Sequence, residues 1–268
     1  MNRALLVGIN QYPSSPLRGC VNDVVDMANF LVTSCGFVEP DIRLLTDSRA
    51  TTEGILDRLG WLLTGLRSGD RVLFHYSGHG AQMATRNPQG EIDGLDEVIC
   101  PVDFDWSDEH AIRDKDFNRL FSTVPDGVEF VWISDSCHSG DLTRAIPPPR
   151  KIFARKTLIP PADLNWRIQT AGRLTRRALG MVRAGQGPNV ALIAGCKDNQ
   201  ESADAEFNGK PNGALTYFLL GELKTPNGLS ESLTQVVANV FEAVRAGGYS
   251  QEPQLEGSDA IKHRGFLQ

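Results

Sequence analysis

Short apolar runs rich in Val, Ile, Leu and Phe alternate along this chain with longer amphipathic stretches, and this alternation restricts the fold more than any other feature. Parallel strands read as near-continuous apolar runs because both of their faces are covered, and the crossover helices between them supply the amphipathic stretches. The pattern predicts strands over 3–9, 41–46, 70–76, 128–134 and 190–195, and helices over 20–34, 52–66, 114–122, 212–223 and 229–246. Thr51 and Thr52 stand ahead of Glu53, with Ile55, Leu56, Leu59, Leu62 and Leu63 following at helical spacing, so the second helix has a capped start and one apolar face. The fold class expected is α/β: a mostly parallel central sheet of about six or more strands, flanked by helices in three α-β-α layers.

At 268 residues the chain suits one large α/β domain, and a hydrophobic content of 41% excludes disorder as the default. A net charge of -6 argues against a nucleic-acid partner, whose binding needs a basic footprint. Five scattered cysteines do not make the dense pattern of a disulfide-stapled secreted fold, so a cytoplasmic location is expected. The first apolar run, in MNRALLVGINQYP, is too short to span a membrane and reads as a strand, and no membrane association is expected.

Between Pro147 and Pro188 the apolar rhythm is lost. Arg144, Arg150, Lys151, Arg155, Lys156, Arg167, Arg173, Arg176, Arg177 and Arg183 crowd this part of the chain, against Asp163 alone. An acidic protein thus concentrates positive charge in one segment, read as an exposed surface connection over 144–188 between a larger block, 1–143, and a smaller one, 189–268.

Two segments carry chemistry. RVLFHYSGHGA runs from a strand into Ser77, Gly78, His79 and Gly80, and EFVWISDSCHSGD runs from another into Asp135, Ser136, Cys137 and His138. Loops at the carboxyl ends of parallel strands converge on one edge of the sheet, so His79 and Cys137 can meet although distant in sequence. A thiol with a pKa of about 8.5 is little ionised at neutral pH, and a neighbouring imidazole is its usual activator. Taken singly, Cys137 reads as a small core residue and His79 as a structural histidine. Asp23 alone reads as a first-turn helix acid, and Asp135 alone as a turn-former.

Taken together, YSGHG followed downstream by DSCHSG resembles the caspase-like cysteine peptidases, and among them the metacaspases and the bacterial orthocaspases. LRGCVNDV, with Cys20, Asn22 and Asp23, is similar to that family's early segment, and IAGCKDNQESADA with GALTYFLL to its small-subunit block. The resemblance implies a caspase-like fold and a peptidase in which Cys137 is the nucleophile and His79 the acid and base, with the backbone N–H groups of Gly80 and Cys137 stabilising the oxyanion. His138, next to the nucleophile, is expected to pack rather than to transfer protons. The resemblance also implies a primary pocket formed by Asp23, Asp135, Ser77 and Cys20, hence cleavage of protein or peptide substrates after Arg or Lys. The basic connection then becomes a candidate site of self-processing within about residues 144–183. A monomer is expected. The rival readings are a caspase-like scaffold without catalysis, and another cysteine peptidase of the same fold, of the legumain, gingipain or separase type.

Many metacaspases need calcium, which the resemblance makes a candidate cofactor. Asp93, Asp96, Glu97, Asp103, Asp105, Asp108, Glu109, Asp114 and Asp116 form an acidic stretch suited to a hard cation. Lys115 stands where the family often has a second aspartate, so no residue is assigned to a metal and no cofactor is expected as a requirement. Zinc-ligand spacing is likewise missing around Cys137 and His138.

Overall fold

The computed structural model describes residues 1–85, 95–138, 152–166, 190–197 and 200–268. Its strands are β1 (Asn2–Gly8), β2 (Ile42–Thr46), β3 (Arg71–Ser77), β4 (Gly80–Ala84), β5 (Leu95–Ile99), β6 (Ile112–Arg113), β7 (Glu129–Asp135), β8 (Ile152–Arg155), β9 (Val190–Ala194), β10 (Ala203–Phe207), β11 (Lys210–Gly213) and β12 (Gln254–Gly257). Its helices are α1 (Cys20–Ser34), α2 (Thr52–Leu63), α3 (Asp114–Phe121), α4 (Ala214–Leu223), α5 (Leu233–Ala246) and α6 (Asp259–Lys262).

Six strands form the central sheet in the order β12-β9-β7-β3-β1-β2. All neighbours are parallel except β12, which runs antiparallel to β9. Side chains alternate between two apolar layers, as the pleat requires. Leu5, Val7, Phe74, Phe130 and Trp132 face α2 and α3, packing with Ile55, Leu59, Phe117 and Phe121. Ala4, Leu6, Leu73, Val131 and Ile133 face the other side, with Val24, Met27 and Phe30 of α1, Leu219 of α4 and Val236 and Val240 of α5. The two layers are why these strands read as unbroken apolar runs. The α2 start is capped as expected, with the Thr51 side chain accepting from Gly54 N.

The three-layer α/β expectation holds, and α1 has the predicted bounds. Two small antiparallel sheets escaped the periodicity reading: β4-β5-β6, and β11-β10-β8. The second of these corrects the picture of a purely exposed connection. Ile152–Arg155 is a strand paired antiparallel with β10, and Lys156, which follows it, is fully buried. Of the other basic residues in that stretch only Arg155 is described; Arg144, Arg150, Lys151, Arg167, Arg173, Arg176, Arg177 and Arg183 lie outside the described residues, as does Gly140.

Candidate active site

Neighbouring strands β3 and β7 are in parallel register with Ser77 opposite Asp135. His79 and Cys137 each come two residues beyond that pair, so the sheet delivers imidazole and thiol to one rim. The approach is close: a side chain at Gly80 would place its Cβ 2.5 Å from the Cys137 carbonyl oxygen and 2.7 Å from the His138 ring. Only glycine allows the two turns to lie side by side.

The His79 backbone is pinned from three sides. Its N–H donates to the Tyr12 hydroxyl at 3.0 Å, and its carbonyl accepts from the Tyr76 hydroxyl at 2.6 Å and from Cys100 N at 2.9 Å. The ring is 1% exposed, and burial lowers its pKa to about 4, so it is neutral near pH 7. Nε2 lies 2.6 Å from the Ser15 carbonyl, which can only accept. Nε2 therefore carries the proton, and buried Nδ1, which has no hydrogen-bond partner among the described residues, presents a lone pair. The Ser15 carbonyl thus fixes the tautomer of His79. Sequence reasoning did not find it, because a backbone carbonyl leaves no signature in residue type.

Cys137 is buried, and its sulfur lies 2.8 Å from the Ser202 N–H, a donor able to stabilise a thiolate. In the state described, the sulfur is bonded to Cys196, with the two Cα atoms 6.6 Å apart. The scattered cysteine spacing had not suggested this pair; Cys20, Cys35 and Cys100 are free thiols. His138 turns away toward β5, where Nδ1 meets the Val98 carbonyl at 3.1 Å, and burial lowers its pKa to about 4.

Across this rim runs the end of the basic connection. Lys156 N donates to the Ser202 carbonyl at 3.1 Å, and the Lys156 carbonyl accepts from Cys137 N at 3.0 Å and from Gly80 N at 3.1 Å. Leu158 N donates to the Gly80 carbonyl at 2.9 Å. The segment therefore crosses the site extended, with one carbonyl held by two backbone donors beside the cysteine.

Its lysine side chain enters a closed polar chamber. Nζ lies 2.8 Å from Ser77 Oγ, 3.1 Å from Asp135 and 3.2 Å from Asp23, with all three charged side chains 0% exposed. Asp135 also accepts from Ser202 Oγ and from the N–H and hydroxyl of Thr216 at 2.7–2.9 Å. Asp23 accepts from Ser77 Oγ, Asn212 Nδ2 and Gly213 N at 2.7–3.0 Å. Gly213 and Thr216 sit at the start of α4, whose N-terminal dipole favours both carboxylates.

Burial would raise the Asp135 pKa, but the ammonium and these donors outweigh it and hold the carboxyl below its usual range. Asp23 is raised, first by burial, against the pull of Lys156, and further by the Asp135 charge. Burial would lower the Lys156 pKa, but the carboxylates of Asp135 and Asp23 push it well above its usual value. Cys20 lies buried nearby, its thiol pushed up by burial. Gly213 has no room for a side chain, since a methyl there would overlap Lys156 Nζ and Asp135.

The structure thus gathers Asp23, Ser77, Cys20 and Asp135 around one cation, and it adds Asn212, Thr216 and Ser202, which lie in the second block. Their residue types, common in turns and helix starts, gave no separate signal in sequence.

Among the described residues, the acidic stretch offers calcium no ready carboxylate cluster. The Asp96 carboxylate is already paired with the Arg113 guanidinium and, at 2.7 Å, with Lys115; Arg113 also holds Asp108. Asp93 lies outside the described residues, and among the described residues no group of three or more His, Cys, Asp or Glu side chains is placed to hold a metal.

A three-layer α/β sandwich with a cysteine and a histidine on adjacent strand ends defines the caspase-like class of protein. Within that class, the family model described as "Metacaspase, peptidase C14 domain" matches residues 2–145. Metacaspase-1 of Scheffersomyces stipitis is 32% identical over 96% of this chain and 70% of its own length, and metacaspase-1 of Ajellomyces capsulatus is 33% identical over 97% and 80%. The crystal structure of a Geobacter sulfurreducens protein superposes with a TM-score of 0.70 at 26% identity, covering 100% of this chain and 98% of that one. The chain belongs to the metacaspases, and is a caspase-like cysteine peptidase. That membership sets aside the legumain, gingipain and separase alternatives.

Proposed function

We propose that the protein is an endopeptidase that cuts after lysine or arginine, and that it first cuts itself between Lys156 and Thr157. The observation that carries this reading is Lys156 itself: its ammonium sits between two buried carboxylates while its carbonyl rests on the N–H groups of Gly80 and Cys137. A substrate residue awaiting attack needs both contacts at once. Lys156 lies within the span expected for self-processing.

Cys137 is the nucleophile once its bond to Cys196 is reduced. His79 Nδ1 takes the thiol proton, and sulfur attacks the Lys156 carbonyl carbon. The carbonyl oxygen becomes an oxyanion held by Gly80 N and Cys137 N, and the Thr157 amine leaves with the proton from His79. Water, activated by the same imidazole, then frees the acyl-enzyme. The same reading makes the chain a cytoplasmic monomer acting on polypeptides, without nucleic-acid or membrane partners. Its net charge of -6 supports the former absence. No helix among the described residues is long and apolar enough to cross a membrane.

Reduced recombinant protein should yield a fragment whose first residue is Thr157, seen by intact mass and terminal sequencing, while Cys137→Ala stays whole. Peptides ending in Arg or Lys before the reporter should be cut, and the Asp peptide spared. Equal fragmentation of Cys137→Ala refutes self-processing, and cleavage after Asp alone refutes the pocket. Loss of turnover in His138→Ala with His79→Ala active would overturn the choice of base.

A further inference from the structure

Arg155, the residue before Lys156, points to a second specificity element. Successive side chains of an extended strand alternate in direction, so with Lys156 sunk in its chamber Arg155 turns to the rim. There its Nη1 donates to Glu201 Oε1 at 2.8 Å, with the two side chains 35% and 24% exposed. Glu201 lies between Gln200, whose carbonyl is 2.7 Å from the Cys137 sulfur, and Ser202, whose N–H is 2.8 Å from it. The carboxylate is thereby held at a fixed offset from the nucleophile. The strand register repeats this offset, with Arg155 opposite Ala203. An open cleft of about 400 Å³ joins Arg155 and Glu201 to His79, Ser15 and Thr157, so the pair sits in the groove an incoming chain must follow.

We infer that Glu201 reads the residue preceding the cleaved lysine or arginine, and that the preferred substrates are polypeptides carrying two consecutive basic residues. This rests on the proposed cleavage after Lys156, which makes Arg155–Lys156 the built-in example. A half-exposed, charge-assisted hydrogen bond is weaker than the buried pairs around Lys156 but remains selective. Discrimination between Arg and Ala at this position should be about 5- to 10-fold, and Glu there should be poorer than Ala.

The test compares kcat/KM on three fluorogenic peptides that differ only in having Arg, Ala or Glu before a constant Lys. Wild type is set beside Glu201→Gln and Glu201→Lys. Ratios are read within each enzyme, so that differences in overall activity cancel. Wild type should rank Arg above Ala above Glu, Glu201→Gln should bring the three within about 2-fold, and Glu201→Lys should favour the Glu peptide. Equal rates on all three in wild type, or an Arg preference that survives in Glu201→Gln, overturns the inference. A fourth peptide with Arg retained and the constant Lys changed to Asp separates the two levels. Its cleavage on the carboxyl side of the Asp, read from the product masses, would sink the proposed function, whereas flat ratios with Lys still required would sink only the role of Glu201.

Discussion

Changing Asp135 to Asn keeps the shape of the side chain at the floor of the lysine chamber and removes one of two negative charges. Both carboxylates around Nζ are fully buried, 3.1 and 3.2 Å away, so water cannot replace the lost partner. Removing one member of a buried ion pair typically costs about 3–5 kcal/mol. Asp23 and the Ser77 hydroxyl remain, so the lower end applies, and about 3 kcal/mol corresponds to roughly 150-fold in kcat/KM. The assay pairs a peptide carrying Lys before the scissile bond with one carrying norleucine, which has a similar stem and no charge. Asp135→Asn should lose roughly 150-fold on the lysine peptide and less than about 3-fold on norleucine. Equal losses on both would mean that the substitution disturbs the site generally. An unchanged lysine rate would refute the electrostatic reasoning outright.

Further expectations follow from other groups. Because the Cys137 sulfur is bonded to Cys196, turnover should require a thiol reductant, and Cys196→Ser should be active without one; iodoacetamide labelling of Cys137 before and after dithiothreitol checks the cause. Since Arg113 and Lys115 already neutralise Asp96, chelation with EGTA should leave turnover within about 2-fold, and a loss reversed by added calcium would contradict the pairing. Burial depresses His75, His79 and His138 to about 3, 4 and 4, so the unfolded chain binds protons below about pH 6.5 that the folded one refuses. Stability should therefore fall as pH drops from 6.5 toward 4, by on the order of 2 kcal/mol per histidine at pH 5. Glu129, raised to about 7 chiefly by burial, opposes this between pH 7 and 4.5 but is outnumbered, and a melting temperature in Cys137→Ala that is not lower at pH 5 than at pH 7 would contradict the balance.

The central sheet was legible because both faces of β1, β3 and β7 are buried, which leaves an uninterrupted apolar run for each. β12 was not, since QLEG is half-buried and carries no apolar rhythm. β8 was hidden for a different reason: IFAR sits among prolines and arginines, and the energy that holds Lys156 comes from partners far along the chain, Asp23, Asp135 and Ser202. Composition counted Lys156 as one more surface charge, whereas tertiary pairing makes it the most deeply enclosed cation described. His79, Cys137 and Asp135 stood out because they lie at or just beyond strand ends beside glycine-bearing turns, whereas Asp23, in the first turn of α1, drew notice only through the family resemblance, as did its pairing with Asp135. Ser15 and Glu201 did not stand out, because one acts through its backbone and the other through a neighbour that only the fold supplies.

β7 and β9 are adjacent in the central sheet, joined by a ladder from Phe130–Val190 to Ser134–Ala194, and α1 and β2 are stitched to the same slab. A break after residue 156 therefore severs the polypeptide without parting the particle. The two halves should co-elute as one species at unchanged size and separate only in denaturant, a nicked body whose halves share one backbone lattice.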